Sequence, residues 1–145
     1  MEIIIRDYNQ TDYNSLSQKW EEAGVGGAHR GDTRGVINRT LKNNGKLYLL
    51  EFQGEIIGSS WLTNDGRRIY LHHFFIQENY RRQGLAKRLL HESVKYADQC
   101  GMQIKLEVHA QNTAAENLYR NFGFQELGDY NVFIIRDFSK IQWSN

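Results

Sequence analysis

The chain has 145 residues, a formal net charge of +1, 40% hydrophobic residues and 24% charged residues. That composition suits one globular domain over 1–145, and its near-neutral balance offers no global basic field for nucleic acid. A single cysteine, Cys100, excludes an intrachain disulfide and fits a reducing compartment, and apolar runs such as 3–5 and 47–50 are too short to cross a bilayer. The first residues lack a basic leader with a long apolar stretch behind it. A cytoplasmic protein without membrane contact, a monomer or a homodimer, is expected.

Residues 2–6 are rich in isoleucine and read as a strand. Tyr13, Leu16, Trp20 and Ala23 recur at three- and four-residue steps, the apolar face of a helix that Gly24 stops. The stretch GVGGAHRGD (24–32) reads as loop, with Asp32 the N-cap of a second helix carrying Val36, Ile37 and Leu41 and ended by Gly45. Three strands follow, KLYLLEF, EIIGSSWLT and RIYLHHFFI. Gln53-Gly54 joins the first two, and Asn64-Asp65-Gly66, a hairpin signal, joins the last two. From Gly84 the period changes. Leu85, Leu89, Leu90, Val94 and Ala97 line one face of an amphipathic helix that ends near Gly101, with Lys87, Arg88, Glu92 and Lys95 opposite. IKLEV (104–108) reads as a strand, TAAENLYRNF (113–122) as a helix stopped by Gly123, and VFIIRDF (132–138) as a late strand. A meander followed by strand–helix–strand predicts an α/β fold, a mixed sheet with helices packed on it.

Residues 80–86, YRRQGLA, connect the third meander strand to the long helix. Neither GxxxxGK[ST] nor GxGxxG occurs, and GVGGAH breaks the second pattern at His29 and follows a helix rather than a strand. The amides of a first helical turn lack intrahelical partners and carry the positive end of the dipole. An anion can dock there, with Gly84 permitting close approach and Arg81 or Arg82 adding charge. The residues allow a second reading, a solvated basic helix start with Arg81, Arg82, Lys87 and Arg88 simply exposed.

Arg81-Arg82-Gln83-Gly84-Leu85-Ala86 resembles the R/Q-x-x-G-x-G/A pyrophosphate loop of the GCN5-related N-acetyltransferase (GNAT) family. Residues 112–124, NTAAENLYRNFGF, resemble its N-x-x-A-x-x-L-Y-x-x-x-G-F signature at each fixed position, and the element order is similar along the whole chain. The resemblance implies the acyl-CoA N-acyltransferase fold, a central mixed, splayed sheet flanked by helices. It also implies acetyl-CoA as cosubstrate and an amine as acceptor. On that likeness Arg81, Arg82, Gln83, Gly84, Leu85, Ala86 and Lys87 hold the pyrophosphate. The pantetheine arm pairs as an added strand along Phe74, Phe75 and Ile76, and Asn112 touches it from the other wall of a slot between strands ending at Ile76 and Val108.

Acetyl transfer to an amine needs a proton acceptor, because a lysine-like amine has a pKa of about 10.4. It also needs donors for the tetrahedral oxyanion and a proton for the leaving thiolate. The resemblance implies Tyr119 as the acid; taken alone, Tyr119 also reads as a packed helix tyrosine. Glu107, twelve positions before Tyr119, stands in an L-E-V run similar to that of the alanine N-acetyltransferases, where a glutamate is the base. It reads equally as a polar residue on the strand face opposite Leu106 and Val108. His72 is a further candidate for proton relay. Because His72 and His73 are neighbours on one strand, alternation predicts opposite faces, so one at most meets the acceptor and the two make no metal site. No metal is expected.

The likeness puts the acceptor wall at 20–32, with His29, Arg30 and Asp32 as polar contacts. The run 65–68 resembles uncharacterised bacterial members of the family, whereas 128–132, GDYNV, departs from the R-N-Y-Y-P-like run of the ribosomal-protein enzymes. The expected function is acetyl-CoA-dependent N-acetylation of a small-molecule or peptide amine by direct attack in a ternary complex. The alternative is a CoA-binding regulatory module with little or no turnover.

Overall fold

Residues 2–144 are described in a computed structural model, so the outermost positions of the domain expected over 1–145 lie outside the described residues. The elements run β1 (Ile3–Asp7), α1 (Tyr13–Ala23), α2 (Arg34–Lys42), β2 (Lys46–Phe52), β3 (Glu55–Asn64) and β4 (Arg68–Ile76). They continue with α3 (Leu85–Cys100), β5 (Gln103–Leu106) and α4 (Thr113–Phe122), and short 3₁₀ turns lie between some of them. The five strands form one sheet in the order β1-β2-β3-β4-β5, antiparallel through β4 and parallel between β4 and β5. This is the expected mixed sheet flanked by helices. The two hairpins have local causes. Gln53 and Gly54 both take positive φ, 51° and 78°, which matches a two-residue turn to the strand twist. Asp65 Oδ1 accepts from the amides of Arg67 and Arg68, at 2.7 Å each.

Helices cover both faces of the sheet, which explains why β3 is buried continuously from Ile56 to Leu62 instead of alternating. On one face Leu16, Trp20 and Ile37 of α1 and α2 pack on Leu47, Leu49, Trp61 and Phe75. On the other, Leu85 and Leu89 meet Leu50, Ile57 and Ile76, while Leu90 and Ala97 meet Leu62, Ile69 and Tyr119. The buried hydroxyls of Ser60 and Ser93 satisfy each other at 2.7 Å. Among the described residues no helix is long and apolar enough to cross a membrane.

Four expectations are corrected. Asp32 does not cap α2; Thr33 does, its hydroxyl accepting from the Val36 amide at 3.2 Å, and Asp32 is free to bind elsewhere. That helix ends at Lys42 with Asn43 as C-cap, ahead of Gly45. Strand β5 stops at Leu106, so Glu107 and Val108 lie beyond it. VFIIRDF is not a strand: no helix or strand occurs between Gly123 and the 3₁₀ turn Phe138–Lys140. Strand propensity describes how a residue fits a pleated surface, and a strand exists only where a neighbour accepts its backbone.

The start of the chain is clasped by a forked pair. Both terminal nitrogens of Arg6 bond the two oxygens of Asp12 at 2.8 Å, and its Nε bonds Glu51 at 2.9 Å. The Arg6 hydrogen bonds hold the Asp12 carboxyl below its ordinary range, against the opposing effect of burial. Stability from this pair is therefore present above the unfolded carboxylate pKa of about 3.9 and is lost as pH falls through the lower folded value. Asp12→Asn is expected to cost about 1.5–3 kcal/mol at pH 7. Urea unfolding at pH 7 and pH 3 checks this, and a gap between the two proteins that does not narrow at pH 3 counts against it.

Candidate active site

A slot opens where two parallel strands part. Pairing between β4 and β5 runs from Arg68/Gln103 to Leu71/Leu106 and stops, while β4 continues to Ile76 with β3 on its other side. The Gln77 amide donates to the Ile57 carbonyl at 2.7 Å, which turns Gln77 towards β3. Ile76 faces the other way, its carbonyl accepting from Arg81 Nε at 2.9 Å. Strand alternation sets Phe74 with Ile76 on the opened side and Phe75 with Gln77 on the β3 side. The structure thus divides the trio predicted from the sequence: Phe74 and Ile76 have backbone groups along the slot, and Phe75 has its own against β3.

The upper part of β4 carries a bulge. Trp61 pairs with His72 and Ser59 with Phe75, so Ser60 alone opposes both His73 and Phe74. His73 is left-handed there, with φ 45°, and the alternation of side chains is broken. Both imidazoles consequently lie against the same ring: His72 and His73 have centroids 6.4 and 5.0 Å from that of Trp61. The expectation that the two histidines face opposite ways is overturned. The bulge is tied by two chains of hydrogen bonds. Trp20 Nε1 donates to Ser59 Oγ at 2.9 Å, and that hydroxyl donates to the His73 carbonyl at 2.7 Å. His73 Nε2 meets Asp32 Oδ2 at 2.7 Å, and the same oxygen accepts from the Gly27 amide at 2.9 Å. Gly26 is required at this crossing, because a Cβ there would sit 2.2 Å from His73 Nε2. The predicted acceptor wall, 20–32, is thereby anchored to the sheet through Asp32, while His29 and Arg30 are exposed.

His72 is half-buried, bonded through Nε2 to Thr63 Oγ1 at 2.8 Å and stacked on Tyr70. Burial pushes its imidazole down to about 4, with the neighbouring His73 adding to the effect and Asp32 opposing it. His72 is therefore neutral at physiological pH and a weak proton acceptor. Since an unfolded histidine titrates near 6.5, the unfolded state takes up this proton first, and His72 lowers stability as pH falls from about 6.5 towards 4. In an NMR titration its ring is expected to show no midpoint between about pH 5 and 8; a midpoint near 6.5 would contradict the burial argument.

Beyond Ile76 the chain makes a 3₁₀ turn, Glu78–Tyr80, and enters the loop ahead of α3. Arg82 and Gly84 are both left-handed, φ 66° and 78°, with Gln83 between them. Such alternation curls successive amides into an anion-binding concavity. Gly84 is the N-cap of α3 and no side chain caps the helix, so the amides of Leu85, Ala86 and Lys87 open its positive end. Arg82, Gln83 and Lys87 are exposed, whereas Leu85 is a core residue. Arg81 is exposed as well, and its Nε donates to the Ile76 carbonyl at the strand end.

Tyr119 of α4 is 9% exposed, its ring edge-on to Phe74 of the opened strand at 6.1 Å and to Phe124 at 5.6 Å. Burial pushes its phenol up to about 12. Asn112 is the N-cap of α4, its Oδ1 accepting from the Ala115 amide at 3.2 Å, which leaves its Nδ2 as the group available to a ligand. Glu107 is exposed just past the last β4–β5 pair. Sequence reasoning missed Trp20, Ser59, Thr63 and Gly26 as supports of this region. None carries a motif, and only the bulge at His73, unmarked by any glycine, brings them together.

Residues 28–134 match a family model described as acetyltransferase (GNAT) domain. Spermine/spermidine N(1)-acetyltransferase of Bacillus subtilis (strain 168) is 29% identical over 90 residues, 55% of this chain and 59% of that one. N-alpha-acetyltransferase RimI of Mycobacterium tuberculosis is 33% identical over 98 residues, 64% of this chain and 61% of that one. The match to each covers less than two thirds of the relative's length. A predicted acetyltransferase from Clostridium acetobutylicum, solved with acetyl-CoA, superimposes with a TM-score of 0.74 at 17% identity, covering 92% of this chain and 96% of that one.

Proposed function

This chain belongs to the GNAT acetyltransferase family, and from that premise we propose that it moves the acetyl group of acetyl-CoA to a primary amine by direct attack in a ternary complex. The observation that carries the reading is one continuous track. The free edge of β4 ends at the Arg81–Ile76 clasp, the uncapped start of α3 follows, and the Tyr119 ring rests on the same edge at Phe74. The loop amides of residues 82–87 supply donors for a pyrophosphate, with Arg82 and Lys87 adding charge. Phe74 and Ile76 supply main-chain groups for the pantetheine amides, and Asn112 Nδ2 a contact from the α4 side.

In the reaction the amine nitrogen forms a bond to the thioester carbon, and the charge on oxygen is met by a main-chain donor of the opened strand. Collapse breaks the carbon–sulfur bond, and the departing thiolate meets the Tyr119 hydroxyl. The surplus amine proton leaves through Glu107, which stands in solvent at the mouth of the slot; neutral His72, with its depressed basicity, orients rather than deprotonates. The acceptor is a small-molecule or peptide amine. A relative that acetylates spermine and spermidine and another named for α-amino groups support both ends of that range.

Thiol release from acetyl-CoA, followed against a panel of polyamines, aminoglycosides and peptide amines, tests this reading. Acceptor-dependent release supports it. Tight CoA binding without release from any amine favours the regulatory module, and absence of CoA binding overturns both.

A further inference from the structure

At His73 the segment between α1 and α2 crosses onto the sheet, and the strand there is strained. A residue other than glycine at φ 45° is an outlier in a strand, where glycine would take the same angle at no steric cost. Such a conformation persists only where the surroundings hold it. Two groups do so here. The Ser59 hydroxyl donates to the His73 carbonyl from β3, and Asp32 Oδ2 accepts from the imidazole through Nε2. Asp32 is itself fixed: the same oxygen accepts from the Gly27 amide, and its carbonyl accepts from the Tyr13 hydroxyl at 2.9 Å. The pair is shielded from water, with side chains 16% and 13% exposed, and the His73 ring stands edge-on to Trp20 and Trp61 at 4.6 and 5.0 Å. Thr33 caps α2, so Asp32 is not spent on the helix.

The angle at His73 decides which way the next residue faces. Ser60 alone opposes His73 and Phe74, and Phe75 resumes the ladder opposite Ser59. Phe74 thereby has its backbone groups on the opened side of β4. Returning residue 73 to ordinary strand angles would absorb the extra residue and slip the register by one, which reverses the side each group faces.

We infer that Asp32 is a positioning residue for acetyl transfer: through His73 it holds the left-handed bulge and so aims the Phe74 amide at the thioester oxygen. The inference rests on the acetyl-transfer reading and names the side chain that keeps its main-chain donor in place. In this role Asp32 touches neither cosubstrate. It acts by reach, as an acceptor for two fixed donors, and one side-chain pair sets the acceptor wall against the donor strand.

Asp32→Ala is expected to lower kcat about 10- to 100-fold, the effect of a small misplacement at the reacting centre, with CoA affinity changed less than about threefold. Asp32→Asn keeps an oxygen for both donors and is expected to recover most of that loss. In Asp32→Ala/His73→Gly, glycine takes the left-handed angle unaided while Ser59 still holds the carbonyl. Its kcat is expected to rise at least about fivefold over Asp32→Ala, while its Tm falls because a cavity opens beside the two indoles. A role in packing alone would move both in the same direction. A double variant no faster than Asp32→Ala overturns the proposal. So does Asp32→Asn as slow as Asp32→Ala, which would assign the effect to charge. A crystal structure of Asp32→Ala reads the bulge without turnover: residue 73 is expected at negative φ, and a residue 73 that keeps its left-handed angle overturns the proposal. If the wild-type chain binds CoA but releases no thiol with any amine, the acetyl-transfer reading fails by itself, and that structure still decides whether Asp32 holds the bulge.

Discussion

Tyr119→Phe is expected to lower the turnover of acetyl transfer roughly 10- to 100-fold with little change in affinity for acetyl-CoA. The magnitude follows from the environment of the ring. Burial pushes the phenol up to about 12, so it is protonated at every working pH. A thiol of ordinary acidity has a pKa of about 8.5, so complete transfer of the phenolic proton to the thiolate runs uphill by about 3.5 units, close to 5 kcal/mol. Tyr119 therefore serves the leaving group chiefly as a hydrogen-bond donor to developing negative charge, an interaction worth about 1.5–3 kcal/mol. Phenylalanine keeps the edge contacts with Phe74 and Phe124, so the fold is preserved and the loss is confined to the hydroxyl. Steady-state kinetics with saturating acceptor reads the effect. Unchanged kcat, or a basic limb below about pH 10 that vanishes in the variant, would remove Tyr119 from this role.

Gly84→Val is expected to weaken acetyl-CoA binding by about 100-fold or more, at a stability cost of only about 1–2 kcal/mol for the left-handed backbone. Gly84 has φ 78°, and a Cβ built there meets nothing within 4 Å, so the first added carbon clashes with no part of the protein. What it obstructs is the approach to the amides that open α3. Gly84→Ala bears a similar backbone cost with far less bulk and serves as the reference. Calorimetric titration with CoA, set beside thermal unfolding, separates the two effects. Valine and alanine variants with equal affinity would show that backbone strain, not obstruction, governs this position.

Much of the chain is legible locally. The 3.6-residue periods of α1, α3 and α4 and the turn residues Gly54 and Asp65 reflect neighbours three to five positions apart, and the structure follows them. The reading failed where a partner distant in sequence decides the outcome. Residues 132–137 have strand composition but pair with no strand among the described residues, so they remain irregular. Asp32 has the chemistry of a cap, yet the imidazole of His73, 41 positions away, claims it.

By itself, the sequence determined the element order as far as α4, the pairing of a basic glycine loop with a helix start, and the signature that carries Tyr119 and Asn112. Each of these is written in adjacent residues. Only the tertiary structure decided that β4 and β5 separate after Leu71 and Leu106, and that a bulge turns His72 and His73 to the same side. Only it showed that Arg81 holds the strand end and that burial leaves His72 neutral. The physical reason is common to all four. Cross-strand register, hydrogen-bond competition and desolvation depend on what surrounds a residue in space, and a linear order of side chains does not contain those surroundings.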